Sequence, residues 1–165
     1  MKRIALLSDT HSYIDDRILN HVADVDEIWH AGDIGDIAVT DELQKVKPLK
    51  AVYGNIDNNV LRQEFEETLI FQCEDVQVMM THIGGRPGKY NARVANLLKE
   101  HQPKLFICGH SHILAVKNDP AYNVLFMNPG AVGKHGFHPV RTMLRFSITD
   151  DRIHDLEVIE YENRY

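Results

Sequence analysis

The chain has 165 residues, 44% hydrophobic and 25% charged, which fits one globular domain over residues 1–165 with a single core. Its formal net charge of −6 offers no basic footprint, so polymeric nucleic acid is not an expected partner, while a small anion can still be held in a local positive site. "MKRIALLSDTH" is too short in apolar residues before Ser8 for a signal peptide, and no run approaches the roughly 20 apolar residues of a membrane span, so the expected location is cytoplasmic, with no membrane partner. Cys73 and Cys108, the two cysteines, are expected as buried thiols.

In chain order, "RIALLS" reads as a short buried strand, followed by a helical stretch over 15–23 and a strand at "DEIWHA". "TDELQKVK" reads as a helix with Thr40 as N-cap and Pro48 beyond its end, and "LKAVYG" as a third strand. This strand–helix alternation implies parallel strands with crossover helices. "TLIFQCEDVQVMMTH" then predicts a hairpin about "CEDV". "YNARVANLLKEHQ" has helical spacing, "PKLFICGH" is a buried strand, and "HILAVKN" and "NVLFMNPG" form an antiparallel pair about "NDPAY". "RTMLRFSITDDRIHDLEVIEYE" is a closing hairpin turning at Asp150 and Asp151, and the acidic tail is solvent-facing. A parallel half thus meets a mostly antiparallel half, as two packed sheets with helices outside.

The chemistry sits directly after the strands. Asp9-Thr10-His11 follows the first, Gly32-Asp33 the second, and Gly54-Asn55-Ile56-Asp57 the third. Thr81-His82 and Gly109-His110-Ser111-His112 follow two later ones. Singly, each has an ordinary explanation: a capping Asp, a turn, a buried histidine. Turn and core needs do not explain why Asp, Asn and His recur at five strand ends, where open α/β sheets place their ligands. Positions i and i+2 of extended chain share a side, so Asp9 with His11, and His110 with His112, are expected to face one cavity. If Asp9, His11, Asp33, Asn55, His82, His110 and His112 form one site, two divalent cations against two carboxylates leave excess positive charge for a phosphate ester. Nitrogen and oxygen donors suit Mn, Fe, Co, Ni or Zn better than Mg or Ca.

"SDTH", "HAGD", "GNID", "TH" and "GHSH", in this order, together with "MNPGAVG", resemble the motifs of the calcineurin-like metallophosphoesterase superfamily, in particular its small one-domain branch. That branch includes phosphodiesterases and the retromer subunit of the same fold. The resemblance implies an α/β fold, a four-layer α/β/β/α sandwich of two mixed sheets flanked by helices. It implies a dinuclear metal-dependent phosphoesterase, foremost a phosphodiesterase acting on a small phosphodiester. The alternative is a non-catalytic protein-binding scaffold. Asp9, His11, Asp33 and His112 would bind one divalent transition-metal ion, and Asp33, Asn55, His82 and His110 a second. Mn2+ ranks first, ahead of Ni2+, Fe2+, Co2+ and Zn2+. Asp33, Asn55, His82 and His110 would carry catalysis with a metal-bridging hydroxide that attacks phosphorus in line.

One departure matters: many members have a histidine after "GN" that protonates the leaving group, and here Ile56 stands in its place. That favours good leaving groups and disfavours alkyl monoesters. Around the site, His30 and Asp57 are candidates to orient the ligands, Asp57 through a ligand histidine. Arg86 and Lys89 in "GGRPGKY", and Lys134, His135, His138 and Arg141 in "GKHGFHPVR", are candidates for contacting substrate phosphate. The hairpin over 113–127 offers an edge for a homo-oligomer.

Overall fold

A computed structural model describes residues 1–161; the last residues of the acidic tail, 162–165, lie outside the described residues. The first apolar run forms β1 (Lys2–Leu7), then come α1 (Asp16–His21), β2 (Glu27–His30), α2 (Ile37–Val46) and β3 (Leu49–Ala51). A short α3 (Asn59–Glu64) leads to the hairpin β4 (Thr68–Cys73) and β5 (Val76–Thr81). α4 (Ala92–His101), β6 (Leu105–Ile107), the pair β7 (Leu114–Asp119) and β8 (Val124–Pro129), and the closing hairpin β9 (Arg141–Thr149) and β10 (Arg152–Tyr161) complete the chain. Among the described residues no helix is long and apolar enough to cross a membrane.

The strands form two five-stranded sheets, ordered β10-β9-β1-β2-β3 and β4-β5-β6-β8-β7. Each is mixed: β1, β2 and β3 run parallel with antiparallel β9 beside β1, and β5, β6 and β8 run parallel with antiparallel β4 and β7 on either side. The expected division into a parallel half and an antiparallel half is therefore corrected. The closing hairpin crosses back to pair with β1 rather than extending the second sheet.

Period-2 alternation sends Ile4, Leu6 and Trp29 of one sheet and Val78, Met80 and Ile107 of the other into a shared central core. Trp29 meets Phe71 of the opposite sheet edge-on at 5.0 Å. The opposite face of the first sheet packs under α1, α2 and α3 through Ile18, Leu43 and Leu61. That of the second packs under α4 through Val94 and Leu98. This makes the four-layer α/β/β/α sandwich. Both cysteines are buried free thiols.

Two local expectations change. α2 starts at Ile37, capped by the Asp36 side chain accepting from Ala38 N at 2.8 Å, so Thr40 lies inside the helix and its hydroxyl donates back to Ile37 O. α3 was not anticipated; the Asn58 side chain caps it by accepting from Leu61 N at 3.1 Å.

The loops beyond the parallel strands are laced together by buried polar groups. His30, fully buried at the end of β2, accepts from Gly32 N through Nδ1 at 3.1 Å and lies 3.0 Å from the Thr10 hydroxyl through Nε2. That hydroxyl spends its proton on Ile34 O at 2.8 Å, so it accepts from His30, which fixes His30 as the neutral Nε2–H tautomer. Asp57 does not orient a ligand histidine as expected. Its carboxylate accepts from the backbone of Ile34 (3.1 Å), Gly35 (2.8 Å) and Gly54 (2.7 Å), clamping the loop after β2 to the loop after β3.

Burial pushes the pKa of His30 down from 6.5 to about 4. The folded state therefore binds fewer protons at this ring than the unfolded chain does between those values, and stability contributed by neutral His30 falls as pH drops from about 6.5 towards 4. NMR should show the His30 ring still neutral at pH 5.5, with its titration near 4. Titration at the ordinary histidine value would show that the ring is not held as described.

Candidate metal centre

The seven residues named above come together where the C-terminal ends of both parallel trios meet. Asp9, His11, Asp33 and Asn55 arrive on loops after β1, β2 and β3, and His82, His110 and His112 on loops after β5 and β6. Ligand atoms of Asp9, His11 and His112 lie within 4.8 Å of one another, as do those of Asp33, His82 and His110.

Extended chain is not what aims these side chains. Asp9 (φ 56°), His11 (45°), Asp33 (54°), His110 (72°) and His112 (62°) all sit in the left-handed region, which non-glycine residues avoid. Each costs about 1–3 kcal/mol, and such strain persists where the surroundings over-determine it, as functional sites do. Gly32 (φ 102°) is required for another reason: a Cβ there would lie 2.6 Å from His82 Nδ1, which crosses from the other sheet.

The two carboxylates are built alike. Asp9 Oδ2 accepts from the Ser8 hydroxyl (2.6 Å) and from His110 N (3.2 Å), which turns Oδ1 inward. Asp33 Oδ1 accepts from Ile56 N at 3.2 Å, which leaves Oδ2 facing His82 Nε2 at 3.1 Å and His11 Nε2 at 3.5 Å. Asp33 thus stands between the two groups.

The histidines are held from behind. His82 Nδ1–H donates to Ala31 O at 2.7 Å, so in the neutral ring Nε2 carries a lone pair that points at Asp33. His138 Nε2–H donates to Gly133 O at 2.8 Å, so its Nδ1 accepts from His112 Nδ1–H at 3.2 Å. That fixes the His112 tautomer and turns its Nε2 lone pair towards Asp9 Oδ1, 3.1 Å away. His110 Nδ1 lies 3.1 Å from Asn55 Oδ1.

The result is lone pairs facing lone pairs. Asp9 Oδ1, His11 Nε2 and His82 Nε2 are buried with no hydrogen-bond partner. Burial acts to raise the pKa of Asp9, but His11, His112 and the Ser8 hydroxyl outweigh it and hold the carboxyl well below the usual range. Burial likewise opposes ionisation of Asp33, and contact with His82 outweighs it. Burial acts to lower the pKa of His82, and the nearby Asp33 and Asp9 more than reverse it, so a proton there is held more tightly than on a free histidine. What such an array needs is positive charge, and the oxygen and nitrogen donors fit divalent transition metals.

The remaining candidates separate. His135 stacks on His11 with ring centres 4.7 Å apart and lines the same cleft of about 790 Å³. Lys134 lies 4.7 Å over the Tyr13 ring. Arg141 is buried and committed elsewhere: Nε donates to Val132 O at 2.7 Å, and its guanidinium lies between Tyr13 and Tyr161. Arg86 and Lys89 line a different cavity beside His110. His30 and Asp57 act on the loops, as described above. Sequence reasoning passed over Ser8, which braces Asp9, and Asn128, whose amide donates to Gly109 O (3.0 Å) and Ser111 Oγ (3.1 Å) and fixes the "GHSH" loop. The signal for Asn128 was "MNPGAVG", legible as a motif but not as a role.

The sequence model of the calcineurin-like phosphoesterase superfamily domain matches residues 1–151. A probable metallophosphoesterase of Methanocaldococcus jannaschii is 28% identical over 156 residues, covering 89% of this chain and 76% of that protein. Another, from Methanothermobacter thermautotrophicus, is 27% identical over 133 residues, covering 78% and 76%. Among solved structures, wild-type Vps29 of Entamoeba histolytica complexed with zinc superposes with a TM-score of 0.75 at 17% identity, over 99% of each chain. A protein described as a novel archaeal phosphodiesterase does so at 0.71 and 19% identity, over 95% of this chain and 99% of that one. These two likenesses show the shared fold. With its motif-bearing loops gathered into one site and its sequence matched over residues 1–151, the chain belongs to the calcineurin-like phosphoesterase superfamily.

Proposed function

We propose that the protein is a dinuclear metal-dependent phosphoesterase and, within that class, a phosphodiesterase acting on a small diester. One observation carries the reading: Asp9 Oδ1, His11 Nε2 and His82 Nε2 are buried polar atoms without a hydrogen-bond partner that converge on one space. Asp9, His11, Asp33 and His112 would hold one cation, and Asp33, Asn55, His82 and His110 the other, with Asp33 shared. Two such ions supply charge for phosphoryl oxygens and bring the pKa of a bound water towards neutrality. Mn2+ is the first choice, with Ni2+, Fe2+, Co2+ and Zn2+ compatible with the same donors.

The protein's own groups do the positioning. The Ala31 carbonyl and His138 present His82 and His112 as neutral Nε2 donors, and Ser8 and the Ile56 amide aim the two carboxylates. Ile56, 47% exposed at the cleft, offers the leaving group no proton. A diester with an acidic alcohol suits this site; an alkyl monoester does not. The scaffold reading has its own observation: exposed Ile113, Phe137 and Val140 rim the cleft together with Ile56.

Metal-stripped protein refilled with Mn2+ should hydrolyse bis(4-nitrophenyl) phosphate in preference to 4-nitrophenyl phosphate, and Asp33→Asn and His112→Ala should each abolish turnover. Cleavage of the monoester alone would sink the diester assignment, and two bound ions with no turnover of either ester would favour the scaffold.

His138→Ala should weaken the site containing His112 by about 10–100-fold while sparing the site containing His82. A two-step calorimetric Mn2+ titration reads both. Unchanged affinities at both steps would reduce the His138 contact to packing.

Metal must displace the proton that Asp33 stabilises on His82, so binding should release protons and weaken as pH falls through the raised pKa of His82. Titration in buffers of different ionisation enthalpy measures the release. No buffer dependence at pH 6.5 would contradict it.

A further inference from the structure

Two cavities meet at the loop 109–113. One is the cleft over the metal centre; the other, of about 370 Å³, opens beside it, and His110, Ser111 and Ile113 line both. The second cavity is built on the outer face of the second sheet. Ala115 pairs with Asn128 and Lys117 with Phe126 across β7 and β8, a two-by-two patch on one face. The alternate residues Val116 and Met127 point the other way, into the central core.

Its chemistry differs from that of the metal cleft. Phe126, Ala115 and Ile113 give it an apolar body. Arg86 and Lys89, brought onto one turn by the bond from Lys89 N to Arg86 O (2.8 Å), and Lys117 give it three cations. None of these three side chains is paired with a carboxylate among the described residues, and no acidic residue lines the cavity. On a chain of net charge −6, that is a local positive site. The Asn128 amide is already used by Gly109 O, Ser111 Oγ and Gly130 N, so it has little left with which to read a ligand's edge. The cavity therefore selects for apolar surface and negative charge rather than for a hydrogen-bond pattern.

Resting on the phosphodiesterase reading, we infer that this cavity holds the non-reacting half of the substrate: an apolar or planar body that bears a second anionic group, a carboxylate or a phosphate. A diester has two arms, and His110 stands at the boundary between the cleft and this cavity. One arm faces the rim of Ile56 and Phe137, and the other passes over His110 and Ser111 to the cations. The volume falls within the range of small-molecule sites.

The test compares 4-nitrophenyl phenyl phosphate with 4-nitrophenyl 4-(carboxymethyl)phenyl phosphate on the Mn2+-loaded protein. Both release the same phenolate. The carboxylate-bearing diester should have the lower KM at equal kcat, and Lys89→Ala and Lys117→Ala should each shrink that preference by about fivefold. Occupancy is read without turnover by the NMR shift of the Ala115 methyl on adding 4-hydroxyphenylacetate, the alcohol half of that diester. Turnover of both diesters with no preference and no shift overturns the cavity assignment alone. A preference that survives both substitutions also overturns it. A shift with no turnover of either diester overturns the phosphodiesterase reading and leaves the ligand class standing.

Discussion

The structure turns on an arrangement that would repel itself without added positive charge. Two carboxylate oxygens and at least two imidazole lone pairs face one another at 3.1–3.8 Å in a buried space. Such groups separate or protonate unless something holds them. Here each is braced from the outside: Asp9 by Ser8 and the His110 amide, Asp33 by the Ile56 amide, His82 by Ala31 O, and His112 by His138. Left-handed backbone at five of the seven positions adds to what the fold must sustain. Preorganisation of this kind leaves a cation little to rearrange on arrival.

The sandwich makes that bracing cheap in structural terms. The parallel trio of each sheet ends at the same edge of the molecule, and the central core of Ile4, Leu6, Trp29, Val78, Met80 and Ile107 sets the distance between them. The site straddles this seam, with Asp33 from one sheet against His82 from the other. Gly32 and Gly109 are therefore points of contact between sheets: a Cβ on Gly109 would approach Asp9 Oδ2 at 2.9 Å. Site geometry and core packing are one constraint.

The strand ends were legible because apolar runs followed by Asp, Asn or His are a local pattern. That pattern nominated the seven convergent residues, while their division between two cations came only from the family resemblance. What was not legible was long-range. Pairing of β9 with β1 joins residues about 140 apart in sequence, and nothing local to "RTMLRFSIT" says which sheet it will enter. His110 and His112 have left-handed φ in a loop that Asn128 and Asp9 hold, so the i, i+2 argument reached the right place by the wrong geometry. Asp57 looked like a partner for a histidine because its three backbone donors belong to two loops that meet only in the fold. Arg141 looked like a phosphate ligand because a buried arginine between two tyrosines has no sequence signature.

Ile56 joins the site to its selectivity. Ile56 itself has no proton to give a departing oxygen, so on the proposed reading the acidity of the leaving alcohol weighs heavily in the rate. Discrimination between substrates then falls to the parts of the molecule that do not react. The protein offers two such surfaces on either side of one loop, an apolar rim at Ile56 and Phe137 and a cationic, apolar-floored cavity at Lys89 and Lys117. Asn128 lines that cavity and holds the His110 loop, and His110 and Ser111 line it as well, so the cavity and the candidate metal centre are built on one shared element.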